Sequence, residues 1–146
     1  MVAMTTVTEP LACGTVQEVR PGSIVLRPAG TNYALHLACT HALSAGAFVR
    51  GRIRLQARKI WTVPSGGNFV APIMGPPRIV QGRVRQLDPK QMVLQAGTSV
   101  IVDLPGSDEA FALANGPVAV GALVNVTAMP GANFEPADSR PVSQAD

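Results

Sequence analysis

GTVQEVRPGSIVL, residues 14–26, returns later in the chain as GRVRQLDPKQMVL, residues 82–94. Gly14/Gly82, Val16/Val84, Pro21/Pro89, Val25/Val93 and Leu26/Leu94 are identical, and Val19/Leu87 and Ile24/Met92 are similar. With one residue dropped, Gly30-Thr-Asn-Tyr-Ala-Leu-His-Leu meets Gly97-Thr-Ser-Val-Ile-Val-Asp-Leu, which aligns His36 with Asp103. Gly46-Ala-Phe-Val then meets Gly121-Ala-Leu-Val, and Gly66-Gly-Asn-Phe-Val-Ala-Pro meets Gly131-Ala-Asn-Phe-Glu-Pro. Matching blocks that keep one order point to an internal duplication.

Each unit reads as short strands. In Gly14–Arg20 the apolar Val16 and Val19 face inward, and a turn at Pro21-Gly22 leads into Ser23–Arg27. Tyr33, Leu35 and Leu37 alternate with Ala34, His36 and Ala38. This is period-two patterning bounded by Gly and Pro. Cys39–Gly46 reads as a short helical turn or a loop. A fourth strand, Ala47–Leu55, puts Arg50, Arg52 and Arg54 on one face, because successive side chains point to opposite sides. The second unit repeats the order as Gly82–Leu87, Gln91–Gln95, Ser99–Leu104, a loop through Ser107–Asn115, and Val118–Ala128. Leu55–Val63 has no counterpart there. It reads as an extended hairpin arm carrying Arg58, Lys59 and Trp61, and its removal is expected to spare the fold.

The predicted fold is all-β, with two tandem five-stranded barrels related by duplication. The first spans 12–72 with its arm near 55–63, and the second spans 78–137. They are joined through Pro72–Pro77, and 1–11 and 138–146 are flexible termini. The Gly-Asn-Phe closures are expected to be tight turns that bury Phe69 and Phe134. The order of strands and turns resembles an OB-type barrel, as in tandem small-barrel modules that bind oxyanions or nucleic acid; an SH3-like barrel is the alternative. Separately, KIWTVPSGGNF (59–69) followed by GPPRIVQGRV (75–84) resembles a family of short bacterial proteins with no assigned function. That resemblance spans most of the chain and implies no chemistry.

The chain has 146 residues, room for one ordinary domain or two very small ones. Hydrophobic residues make up 47% and charged residues only 14%, which excludes disorder and favours a chain that buries much of itself, in part against other copies. The net charge of +3 is unevenly spread. No acid lies between Glu18 and Asp88, and after Lys90 the only base is Arg140. A basic surface and an acidic surface follow. The basic one is a solvated face, a patch for the acidic half of a second copy, or a site for an anionic ligand. MVAMTTVTEP has neither the basic nor the apolar region of a signal peptide. Cys13 and Cys39 define no disulfide framework. A cytoplasmic protein with reduced thiols is expected. Phe111–Phe134 is uncharged, but Asn115, Gly116, Pro117, Gly121, Asn125 and Pro130 interrupt it, so it reads as buried strands and not as a membrane span.

Residues 50–85 hold eight bases, no acid and the only Trp. The polyanion-binding candidates are Arg50, Arg52, Arg54, Arg58, Lys59, Trp61, Arg83 and Arg85. Such cations neutralise phosphates, and Trp61 or Tyr33 can stack on a base. Against this, aromatics are only 4% of the chain, fewer than single-strand binders present, and Phe48, Phe69, Phe111 and Phe134 are expected in the core. His36, Cys39 and His41 lie close together in sequence, could be joined by Cys13, and are the candidate metal ligands. They lack the paired spacings of structural zinc sites, so no metal and no cofactor is expected. G-x-S-x-G, P-loop and H-E-x-x-H motifs are absent, and Ser65-Gly66-Gly67-Asn68 has no following helix to cradle a phosphate. The expectation is a non-catalytic structural or scaffolding protein. It would form a homo-oligomer through barrel surfaces, the arm and the uncharged segment. The alternative is a module that binds nucleic acid or another polyanion on the basic face of residues 50–85.

Overall fold

A computed structural model describes residues 11–104, 111–112 and 118–137. The termini expected to be flexible lie outside the described residues, apart from Leu11, as do Ser107–Ala110 and Leu113–Pro117 of the expected loop and uncharged segment. Among the described residues there is no helix, and the class is all-β. The strands are β1 (Ala12–Arg20), β2 (Ser23–Pro28), β3 (Ala34–Ala38), β4 (Phe48–Thr62), β5 (Phe69–Ala71), β6 (Met74–Gly75), β7 (Ile79–Leu87), β8 (Gln91–Gln95), β9 (Ser99–Asp103), β10 (Phe111–Ala112), β11 (Leu123–Ala128) and β12 (Asn133–Pro136). They join in one mixed sheet. No helix among these residues is long and apolar enough to cross a membrane.

The two sequence repeats pair their strands in the same register. Val16 meets Leu26 and Val19 meets Ile24, as Val84 meets Leu94 and Leu87 meets Met92. Each first strand carries a bulge at the same place, with Gln17 and Arg85 as the extra residues. Gly14 pairs with Val49 as Gly82 pairs with Val124. Both glycines are needed for close approach: a Cβ on Gly14 would strike the Arg27 carbonyl, and one on Gly82 the Gln95 carbonyl.

In the third strand the register corrects the sequence alignment. Val25 meets His36, whereas the equivalent Val93 meets Ile101. His36 therefore corresponds to Ile101, and Asp103 corresponds to Ala38. The reason is the shorter β8–β9 turn, which keeps pairing up to Gln95 and Ser99, while β2 and β3 part after Leu26 and Leu35.

β4 organises the rest. Its fifteen residues run unbroken where a strand and a hairpin arm were expected. Gly51, Ile53, Leu55 and Ala57 are buried, and the residues between them face out. At Arg58 the alternation slips by one. Thr127 meets Lys59 and Ala128 meets Ala57, which leaves Arg58 as a bulge. Ile60 and Thr62 then turn inward. Residues 55–62 are thus interior strand and not a projection. Leu55, Ala57 and Ile60 are too apolar to leave in water, and burying each large one stabilises the fold by about 1.5–3 kcal/mol.

The ladders make two circuits that share β4. One runs β1–β2–β3–β12–β4 and returns to β1. The other runs β4–β11–β7–β8–β9 and returns to β4. Each circuit takes its closing strand from the other half of the chain. β12, from the C-terminal repeat, lies between β3 and β4, and the second half of β4 lies between β9 and β11. The correspondence is close: Ala38 sits beside Asn133 in a parallel bridge as Asp103 sits beside Gln56. The two Gly-Asn-Phe motifs therefore occupy different places. Phe134 in β12 is 2% exposed and packs on Gly51, whereas Phe69 in β5 lies on β7 at the surface. Cys39–Gly46 is irregular and not helical. One continuous core, including Val16, Leu35, Ile53, Leu94 and Phe134, runs through both circuits.

Candidate functional site

The eight basic residues of the 50–85 stretch do not converge. The period of two along β4 puts Arg50, Arg52 and Arg54 on the outer face. Two of these three meet acids of the same chain. Arg54 Nε and Nη2 donate to Asp103 Oδ2 and Oδ1 at 2.9 and 3.0 Å, and Arg52 lies 4.0 Å from Glu135. β9 and β12 flank this part of β4, so Asp103 and Glu135 approach Arg54 and Arg52 from opposite sides. The Asp103 carboxylate raises the Arg54 guanidinium above its ordinary pKa, chiefly through the hydrogen bond.

A second group lies past the midpoint of β4. Lys59, Thr127 and Ile79 form one row across β4, β11 and β7. Arg58 protrudes at the bulge, and the backbone carbonyl of Arg78 accepts from the Ala128 N–H, one position along. Arg58, Lys59 and Arg78 are exposed, and among the described residues none is within ion-pairing distance of a carboxylate. Arg78 was not among the binding candidates. Its alignment with Arg58 across the sheet follows only from β11 lying between them. Two rows along stand Trp61, Asn125, Gln81 and Phe69. Trp61 is half-buried there and does not tip an arm. Residues 63–68 cross over this row, and Gln81 Nε2 donates to the Gly67 carbonyl at 2.8 Å. The Gly-rich stretch is thus a strap over buried amides.

Arg83 and Arg85 form a third, separate set on β7. Arg83 donates to the Gly121 carbonyl at 3.1 Å and Arg85 to Gln95 at 3.4 Å. From Arg50 to the far end of β4 is about 40 Å at the usual rise per residue. Along β4 the candidates therefore form an extended row and not one compact cluster. Tyr33 is not open to stacking on a base. It is buried and its hydroxyl donates to the Ala96 carbonyl at 3.0 Å, with Gly97 against its ring.

His36 is half-buried on β3, and the buried Cys39 thiol lies 3.8 Å from the His41 carbonyl. Among the described residues no three His, Cys, Asp or Glu side chains group as metal ligands. Near His41 the surface opens into a groove of about 590 Å³, walled by Leu11, Leu43, Phe48 and Pro136 with Arg50 at its edge. Phe48, expected in the core, is 65% exposed there. No family model, no curated protein and no solved structure matches the chain.

Proposed function

We propose that the two strand circuits are small five-stranded barrels that arose by duplication, and that the protein is a non-catalytic structural component that self-assembles. Matching registers and matching bulges support the duplication. One observation carries the assembly reading: large apolar side chains stay exposed outside the continuous buried core. Phe69, Ile73, Met74 and Ile79 are all exposed within residues 69–79, and Phe48 projects beside its groove. Scattered single apolar residues need no explanation, but concentrated ones mark interfaces. Arg54 pairs with Asp103 within the chain, which further favours contacts between copies over an anionic ligand on that face. Light scattering on the whole chain tests the reading. A mass above one chain that falls on dilution is expected, and a single-chain mass throughout the series would remove it.

Binding of nucleic acid or another polyanion is a second reading, favoured by the exposed trio Arg58, Lys59 and Arg78 beside Trp61. It predicts retention of a mixed-sequence oligonucleotide that weakens with salt, by a slope of about 0.7 per phosphate on a single strand. Arg58→Ala with Lys59→Ala should lower that slope by about 1–1.5, while Arg54→Ala should leave it unchanged. No retention at low salt would eliminate this reading.

A further inference from the structure

Phe48 has a counterpart. It pairs with Thr15 as Leu123 pairs with Arg83, in the repeated register. Yet Leu123 is 3% exposed, because the strap 63–68 lies over it, with Gly66 close to its side chain. Phe48 keeps most of its surface in water at the rim of an apolar groove. The same patch carries both signs of charge. Arg50 is exposed on β4, and the Glu135 side chain is 53% exposed on the neighbouring β12, with Oε1 4.0 Å from Arg52. Gly51 pairs with Pro136, so Arg50 and Glu135 are diagonal neighbours on adjacent strands.

We infer that this groove is a two-fold contact between two copies of the chain, an inference that rests on the self-assembly reading. A two-fold interface brings one patch against itself and must be self-complementary. This patch meets that demand twice. It holds a protruding ring next to a groove of apolar walls, so Phe48 of each copy fills the groove of the other. It also holds a cation beside an acid, so Arg50 of each copy faces Glu135 of the other. Opposed charges at the rim select orientation and exclude the wrong one. Burial of the Phe48 rings supplies the apolar gain.

The test is sedimentation of the whole chain over a dilution series, with wild type, Phe48→Ser, Arg50→Glu, Glu135→Arg and the combination of the last two. Wild type should double its mass. Phe48→Ser should run as a single chain and melt at the midpoint the wild type shows when diluted to single chains, since the ring contributes little to the monomer core. Each charge reversal should weaken association by about tenfold or more, and the combination should recover most of it. Assembly of the wild type with Phe48→Ser unaffected would overturn this surface and leave the assembly reading standing. A single-chain wild type at every concentration would remove both. Single reversals that weaken association without rescue in the combination would overturn the Arg50–Glu135 pairing. If a chain lacking residues 138–146 loses the dimer, or if Arg50→Glu abolishes oligonucleotide retention by a monomer, the groove belongs to another occupant and the inference fails.

Discussion

The guanidinium of Arg54 and the carboxylate of Asp103, 49 residues apart, meet through two hydrogen bonds of 2.9 and 3.0 Å. They do so because β9 runs parallel to β4, placing Arg54 beside Ile101 and Asp103 beside Gln56. Gln56 reinforces the join by donating to the Asp103 carbonyl at 3.2 Å. The pair thus fastens the strand shared by both circuits to the C-terminal repeat, using a charge that the sequence pattern offers to a ligand.

Because the pair is partly exposed, its contribution to stability should be modest. Arg54→Ala and Asp103→Ala, taken as a double-mutant cycle, should show a coupling of about 0.2–1 kcal/mol that shrinks at high salt. Urea denaturation of the four proteins checks this. A coupling near zero at low salt would mean that the two hydrogen bonds add nothing to the fold.

Gly51→Ala should be costly. A Cβ there would strike the Glu135 carbonyl and come within 2.6 Å of Phe134 Cζ and 2.9 Å of Pro136 Cα. Neither β4 nor β12 can retreat without opening the first circuit. A loss of about 1–3 kcal/mol is expected, as for other overpacked interiors. An unchanged denaturation midpoint would show that β12 is not seated on β4 as described.

Neither repeat should fold alone. Residues 1–77 lack β12, and residues 78–146 lack β4. Each fragment by itself should show no cooperative melting, and an equimolar mixture should recover it. Deleting residues 55–63 should likewise unfold the chain, since it removes Ile60 and Thr62 and the ladder to β11. Circular dichroism melts decide both. A cooperatively folded 1–77 fragment would contradict the exchanged closing strands.

Acid should loosen the β7–β8 turn. Asp88 Oδ1 accepts the N–H groups of Lys90 and Gln91 at 2.8 and 2.9 Å. These bonds favour the ionised form and hold the carboxyl below its ordinary value of 3.8. The unfolded chain therefore takes up this proton first. The stabilisation is complete above about pH 4, declines as pH falls, and is gone once the folded carboxyl is protonated. Asp88→Ala should lower the midpoint at pH 7 and converge with wild type in strong acid. A gap that stays constant down to the lowest pH would rule out this origin.

Much of the fold is legible from residue pattern because strand pairing within a hairpin is local. The alternation of Val16, Ile24 and Leu26, the turn residues Pro21-Gly22 and the repeat at Gly82–Leu94 carry the hairpins with their inward faces. The bulges at Gln17 and Arg85 break a period of two and leave a trace in the spacing. The candidate site is less legible. Arg50, Arg52 and Arg54 are correctly placed on one outward face, but nothing local says that Asp103 and Glu135 stand beside them.

The chain's own order of residues determined the all-β class, the paired hairpins and the outward row of arginines, because each depends on neighbours a few positions apart. Which strand closes which circuit was decided only in three dimensions. β4 can bury Leu55, Ala57 and Ile60 solely by running on into the other repeat, and β12 can bury Phe134 solely by returning to the first. That exchange also settled which cations meet acids and which face water. Such pairings depend on the positions of strands far apart in the chain, and alternation along one strand carries no information about them.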